Sequence, residues 1–254
     1  MRKIALVIGA SSNVGQKTCE KLINAGYTVY AGFNTTIIPK SKFIIPLKID
    51  VTNDLSCEQS VANILRSSKR LDAVIYLVGV SPKGLATDFT PKDLMKVYDI
   101  NTIGFFRIAT LTLPHLAKTR GYLISVASIC GIISFPNFSI YSASKFALRA
   151  ISLAIHHEQY SSGVHTICIF PGAIASNSSL PKDSARVKIP LLKFLLPLLD
   201  SNSLGENIIK ILNDPNPPPE KLLGSDALLL TFMQRFIPAK VWHYLQKRVW
   251  QTQS

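Results

Sequence analysis

The chain has 254 residues, a formal net charge of +13, 47 % apolar residues and 17 % charged residues. That composition suits one α/β domain with a large buried core and excludes a disordered polyelectrolyte. No apolar run reaches the roughly 18 residues of a membrane-spanning helix; the longest, Ile189 to Leu199, is broken by Pro190, Lys193 and Pro197.

Met1-Arg2-Lys3 runs directly into Ile4–Ile8, an apolar run that predicts a first strand, so no signal peptide is expected. Gln16–Ala25 predicts a helix closed by Gly26. Thr28–Phe33 and Phe43–Ile49 predict two further strands, Ser56–Ser67 a helix and Ala73–Val78 a strand. Thr90-Pro91-Lys92-Asp93 opens a long helix, with Thr90 as N-cap, Pro91 at the first helical position and Asp93 at the positive helix end. Gly121–Ala127 predicts a strand, Tyr141–Tyr160 a long helix and Val164–Phe170 a strand that stops at Pro171-Gly172. Continuous apolar strands alternating with helices predict a doubly wound parallel α/β sheet in a single domain spanning 1–254. Past Gly172 the alternation weakens, and prolines cluster at Pro215 and Pro217 to Pro219.

Several stretches carry chemistry. Gly9-Ala10-Ser11-Ser12-Asn13-Val14-Gly15 lies between the first strand and first helix, where free N–H groups and the positive helix end bind phosphate. Gly9 permits a tight turn, Gly15 a close helix–strand approach, and Ser11 and Ser12 offer hydroxyls. No acid occurs from Tyr30 to Thr36, so nothing there repels a 2′-phosphate on the adenosine ribose, while Asn34, Thr35 and Thr36 could hold one. Tyr141 and Lys145 are four apart on one helix face. A phenol near pKa 10 becomes a useful acid–base group beside a cation that stabilises phenolate. The four cysteines, Cys19, Cys57, Cys130 and Cys168, show no CxxC pair and no histidine at ligand spacing, which predicts no metal and reduced thiols in a cytoplasmic protein.

Together these stretches resemble the short-chain dehydrogenase/reductase family, over Ile4 to Ser176. The glycine turn is similar to TGxxxGxG, with Ile8 in place of threonine and Asn13 in place of the middle glycine; asparagine there is expected to adopt a left-handed conformation. Asp50-Val51 resembles the adenine-contacting pair. Ile124-Ser125-Val126-Ala127-Ser128-Ile129-Cys130-Gly131 resembles ISSxxG, and its offset to Tyr141 selects Ser128 over Ser125. Asn101, in Asn101-Thr102-Ile103-Gly104, matches the fourth catalytic position. Pro171-Gly172-Ala173-Ile174-Ala175-Ser176 resembles PGxxxT, with Ile174 offering its N–H and Ser176 a hydroxyl to the nicotinamide. NNAG is replaced by Tyr76-Leu77-Val78-Gly79; Gly79 still permits cofactor approach, but the asparagines that tie the sheet together are missing.

The resemblance implies a Rossmann-type oxidoreductase that interconverts a carbonyl and an alcohol. NADP(H) is favoured on the acid-free second strand, and NAD(H) stays open. Ser128 would polarise the substrate oxygen, Tyr141 protonate it, Lys145 bind the nicotinamide ribose and lower the tyrosine pKa, and Asn101 hold a water feeding protons to Lys145. The apolar segment near 177–200 predicts a substrate lid and a hydrophobic lipid-, steroid- or retinoid-like substrate. The basic tail near 232–254 repeats Val241, Leu245 and Val249 at helical spacing. Packing on the domain is the preferred reading of that tail, with peripheral membrane contact second and a dimer contact third; a homodimer or homotetramer is expected. A catalytically weak dinucleotide sensor of the same fold is the rival. Nucleic-acid binding, suggested by charge alone, is not expected, because the lysines are scattered.

Overall fold

The computed structural model describes residues 2–174 and 199–251. Strand β1 (Lys3–Ile8) is followed by helix α1 (Asn13–Asn24), β2 (Tyr27–Phe33), β3 (Ile44–Lys48), α2 (Asp54–Ser68) and β4 (Ala73–Tyr76). Helix α3 (Pro91–Tyr98) runs through one π-helical turn (Asp99–Ile103) into α4 (Gly104–Thr119). Then come β5 (Tyr122–Val126), α5 (Ser139–Glu158), β6 (His165–Pro171), α6 (Ser201–Leu212), β7 (Glu220–Leu223), α7 (Ser225–Phe236) and α8 (Ala239–Gln251).

All seven strands are parallel, in the order β3-β2-β1-β4-β5-β6-β7. The direction of winding reverses beside β1, so the ends of β1 and β4 open a crevice at the carboxyl edge of the sheet. Successive strand residues point to opposite faces, and each face is covered. Leu6, Ile8, Val74, Tyr76 and Leu123 pack with Phe105, Ile108 and Leu148 of α4 and α5. Ala5, Val7, Val29, Ile75 and Ile167 pack with Leu22 of α1 and Leu204 and Ile208 of α6. Burial on both faces is why these strands read as unbroken apolar runs.

The caps match their residues. Thr90 and Asp93 form a reciprocal capping box with Pro91 at the helix start, and Gly26 follows α1 with φ +90°. Strand β7 and helices α6 and α7 lie in the region where the sequence alternation fades. The short β7 pairs only through its contact with β6, from Cys168↔Glu220 to Pro171↔Leu223.

Candidate active site

Chain segments leaving β1, β4, β5 and β6 converge on the carboxyl edge. After β1, Gly9 takes φ +88°, and the N–H groups of Gly9 and Ala10 both donate to the Gly32 carbonyl, at 3.2 and 3.0 Å. This backbone fastening supplies what Ile8, buried in the core, has no hydroxyl to provide. Ser12 is the N-cap of α1: its hydroxyl accepts from Gly15 N at 3.0 Å and donates to the Gly9 carbonyl at 2.8 Å. A methyl group on Gly15 would lie 2.2 Å from the Gly9 carbonyl oxygen. Ser12 is therefore committed to shaping the turn, while Ser11 and Val14 lie half-buried beside it.

Asn13 corrects an expectation. It is not left-handed; it is the first helical residue of α1, and its Nδ2 donates to Ser201 Oγ at 3.1 Å. With Ser12 capping in an extended conformation, the chain is already helical at position 13 and needs no positive φ there.

At the end of β2, Asn34 and Thr35 are exposed. Asp50 Oδ1 accepts from Thr52 N at 2.9 Å and Thr52 Oγ1 at 2.7 Å. The Thr52 bonds, ahead of all else, hold Asp50 below the usual carboxylate range. Next to it, the buried Val51 accepts from Arg107 Nη1 at 3.1 Å, and Arg107 is also held by Asp54 and Asp99. Arg107 thus ties α4 to the loop after β3.

The π turn carries Asn101, which is fully buried. Its Oδ1 accepts from Val80 N at 2.8 Å, and its Nδ2 donates to the Val80 carbonyl and to Ser144 Oγ, both at 2.9 Å. Both amide hydrogens are spent on fixing the loop after β4 to α5. A π turn displaces the regular carbonyl ladder, and Tyr76 answers it: the phenol donates to the Ile100 carbonyl at 2.5 Å, with its ring edge-on to Phe105. Tyr76 thereby ties β4 to the π turn, although the asparagines expected to tie the sheet there are missing.

Ser128 leaves β5 and caps a short 3₁₀ turn, accepting from Cys130 N at 3.2 Å. Ser125 is buried and shares a 2.8 Å hydrogen bond with Ser152, so it faces the core and not the crevice. Ser128 also lies close enough to the Tyr141 phenol to favour its ionised form. Lys145 is buried, donates to the Val126 carbonyl at 3.0 Å and lies 5.8 Å from the centre of the Tyr141 ring. A side chain on Gly79 would come within 3.2 Å of that ammonium and 3.4 Å of Asn101 Oδ1. The structure therefore gathers Gly79, Asn101, Ser128, Tyr141 and Lys145 in one place.

The electrostatics differ from expectation. Burial raises the Tyr141 phenol above its usual value, the neighbouring Cys130 adds to the rise, and Ser128 opposes it. Lys145 is itself pushed down to about 8 by burial. The ammonium is turned toward the Val126 carbonyl.

After β6, Gly172 N donates to the Leu223 carbonyl at 2.8 Å, and Ala173 N donates to Asp226 Oδ2 at 2.7 Å. A methyl group on Gly172 would sit 1.9 Å from Asp226 Oδ1. Ile174 bridges to Leu199. Ser176 and the lid residues 177–198 lie outside the described residues. Sequence reasoning missed Tyr76, Arg107 and Asp226. Only Asp226 left a local signal, an acid just after Gly224-Ser225 at the start of an apolar helix.

The site fits a dinucleotide. The turn after β1 is closed to any side chain at Gly15, Gly79 leaves the space beside Lys145 clear, and no acid stands on β2. Among the described residues no cluster of metal-ligating side chains occurs.

The family model described as short chain dehydrogenase matches residues 3–186. The chain is 27 % identical to a 3-ketodihydrosphingosine reductase of Bacteroides thetaiotaomicron, over 94 % of this chain and 93 % of that one. It is 25 % identical to the NADPH-dependent 1-acyldihydroxyacetone phosphate reductase of Saccharomyces cerevisiae, over 93 % and 87 %. Its fold is similar to that of a Burkholderia cenocepacia short chain dehydrogenase solved in complex with NADP. The TM-score is 0.82 at 20 % identity, covering 98 % of each chain.

Proposed function

This chain belongs to the short-chain dehydrogenase family, and we propose that it is an NADPH-dependent reductase of a ketone carried on a lipid-like molecule. The observation that carries the reading is the convergence of Ser128, Tyr141 and Lys145 beside Gly79, at the mouth of a dinucleotide-shaped turn. Relatives named for the reduction of a ketosphingoid base and of an acylated dihydroxyacetone phosphate support the lipid class. The acid-free end of β2 supports NADPH over NADH.

Gly9, Ser11, Ser12, Asn13, Val14 and Gly15 would hold the pyrophosphate at the α1 terminus, Asn34 and Thr35 the 2′-phosphate, and Asp50 and Val51 the adenine. Pro171, Gly172, Ile174 and Ser176 would border the nicotinamide. When bound, NADPH supplies a hydride and its electron pair. Ser128 donates a hydrogen bond to the ketone oxygen. Tyr141, kept protonated by its buried setting, gives its proton to that oxygen as the carbonyl becomes an alcohol. Lys145 places a cation beside the forming charge and is the group from which the phenol regains its proton. Asn101 is a positioning residue, because its amide is spent on Val80 and Ser144.

Four buried free cysteines support a reducing, cytoplasmic setting. Exposed Met95, Ile103, Phe106 and Phe146 on α3 to α5 and the π turn support pairing with a second copy.

The test is NADPH oxidation, with NADH alongside, against long-chain amino ketones, acylated dihydroxyacetone phosphate and short water-soluble ketones. The reading predicts that long-chain ketones and NADPH give the highest kcat/KM. Cofactor binding without turnover on any ketone would favour a dinucleotide sensor instead.

A further inference from the structure

The last two helices contact the site on one side and are bare on the other. On the inner side Ala227 of α7 and Trp242 of α8 form a buried cluster with Ile129, Cys130 and Ile133, and Leu230, Met233 and Ile237, which follows α7, pack against it. Trp242 is only 7 % exposed, and Gln246 donates to the Ser134 carbonyl. The preferred sequence reading of the tail, packing on the domain, describes this inner side.

The outer side is different. Leu228, Leu229, Phe232 and Phe236 all lie exposed on α7, at spacings that put them on one stripe. Phe232 is 61 % and Phe236 66 % exposed, their ring centres 4.5 Å apart. Arg235, Lys240 and Lys247 are exposed around this stripe, as is Val241. No acidic residue occurs anywhere from Ala227 to Gln251.

An apolar stripe on helices whose charged residues past Asp226 are all cationic, on a chain carrying +13, is complementary to a surface that is apolar beneath and anionic on top. Pairing this face with itself in a second copy would oppose cation to cation. We propose that the outer face of α7 and α8 docks on anionic lipid bilayers, with Phe232 and Phe236 inserted at the headgroup boundary and Arg235, Lys240 and Lys247 on the headgroups. The chain lies on the membrane and does not span it; no described helix is long and apolar enough to cross one. Because Ala227 and Trp242 of the same helices share a core cluster with Ile129 and Cys130, which adjoin Ser128, docking would set the candidate site near the layer in which lipid substrates reside. The docking itself does not depend on the proposed reaction.

The test is co-sedimentation of the full chain with phosphatidylcholine vesicles, with and without phosphatidylserine. Binding is expected to the serine-containing vesicles and to weaken as salt screens the cations. Phe232→Ser/Phe236→Ser should lower binding by about tenfold or more, since each exposed ring brings most of its apolar surface to the bilayer. Arg235→Gln/Lys240→Gln/Lys247→Gln should lower it by about fivefold per cation. Both variants alter exposed side chains, so unchanged melting and NADPH binding would confirm that they fold. Absence of vesicle binding by the parent chain would overturn the proposal, as would equal binding by parent and both variants. A phenylalanine variant that dissociates an oligomer while vesicle binding persists would assign the face to a second copy, and so also overturn it.

Discussion

Tyr76→Phe removes one oxygen atom from the centre of the molecule and nothing else. The ring still packs on Phe105, but the half-buried Ile100 carbonyl of the π turn loses its 2.5 Å donor. A largely buried acceptor that loses its donor costs about 1–3 kcal/mol. For a chain of this size each kcal/mol moves the melting temperature by about 2–4 °C, so a central loss of about 2 kcal/mol lowers it by roughly 4–8 °C. The π turn also carries Asn101, which clamps Val80 and Ser144 next to Lys145. Whatever part of the loss reaches the cofactor crevice weakens NADPH by about tenfold per 1.4 kcal/mol. Calorimetric melting and a fluorescence titration with NADPH would measure both. A variant melting within about 1 °C of the parent, with unchanged NADPH affinity, would refute the view that Tyr76 ties the sheet to the π turn.

Gly15→Ala would force a methyl group to 2.2 Å from the Gly9 carbonyl oxygen and 2.6 Å from Ala10 Cα. Backbone must shift to admit it, at about 1–3 kcal/mol, and NADPH affinity should fall; an alanine variant that binds NADPH normally would show that the turn is not the cradle. Asp226→Asn keeps a hydrogen-bond acceptor but loses the charge that strengthens its bonds to Ala173 N and Ala227 N. A loss of about 1 kcal/mol should appear chiefly as a higher KM for NADPH, and an unchanged KM would remove Asp226 from the cofactor segment. With Lys145 down at about 8, its cation is present below that pH and lost above it. Tyr141, raised, remains a proton donor across neutrality. Ketone reduction should therefore hold steady through pH 7 and decline above about 8, and a rate that climbs through pH 8 would contradict the assignment of the cation.

The sheet was legible where physics is local. Strands β1, β2, β4, β5 and β6 are buried on both faces and so appear as apolar runs, and the caps at Gly26 and Thr90 use side chains or backbone within a few residues of the turn they close. Strand β7 was not legible, because Glu220-Lys221-Leu222-Leu223 is four residues at a sheet edge and its strand character comes from pairing with β6. The candidate site followed the same division. Tyr141 and Lys145 share a helix face by spacing alone, but the direction in which the ammonium turns depends on the Val126 carbonyl. The tie from Tyr76 spans 24 residues to Ile100, and the tie from Asp226 spans 53 to Ala173. Neither can be read from its neighbours in sequence. Asn13 was misjudged because its conformation is set by Ser12, which ends the turn one residue early.

The central claim is that the Tyr141 hydroxyl delivers a proton to a ketone oxygen that Ser128 polarises. Its most direct measurement compares the parent chain with Tyr141→Phe in NADPH binding and in NADPH oxidation with a long-chain ketone. The account predicts equal binding and a loss of turnover of about 10²–10⁴ in the variant. A phenylalanine variant that reduces the ketone at the parent rate would contradict it.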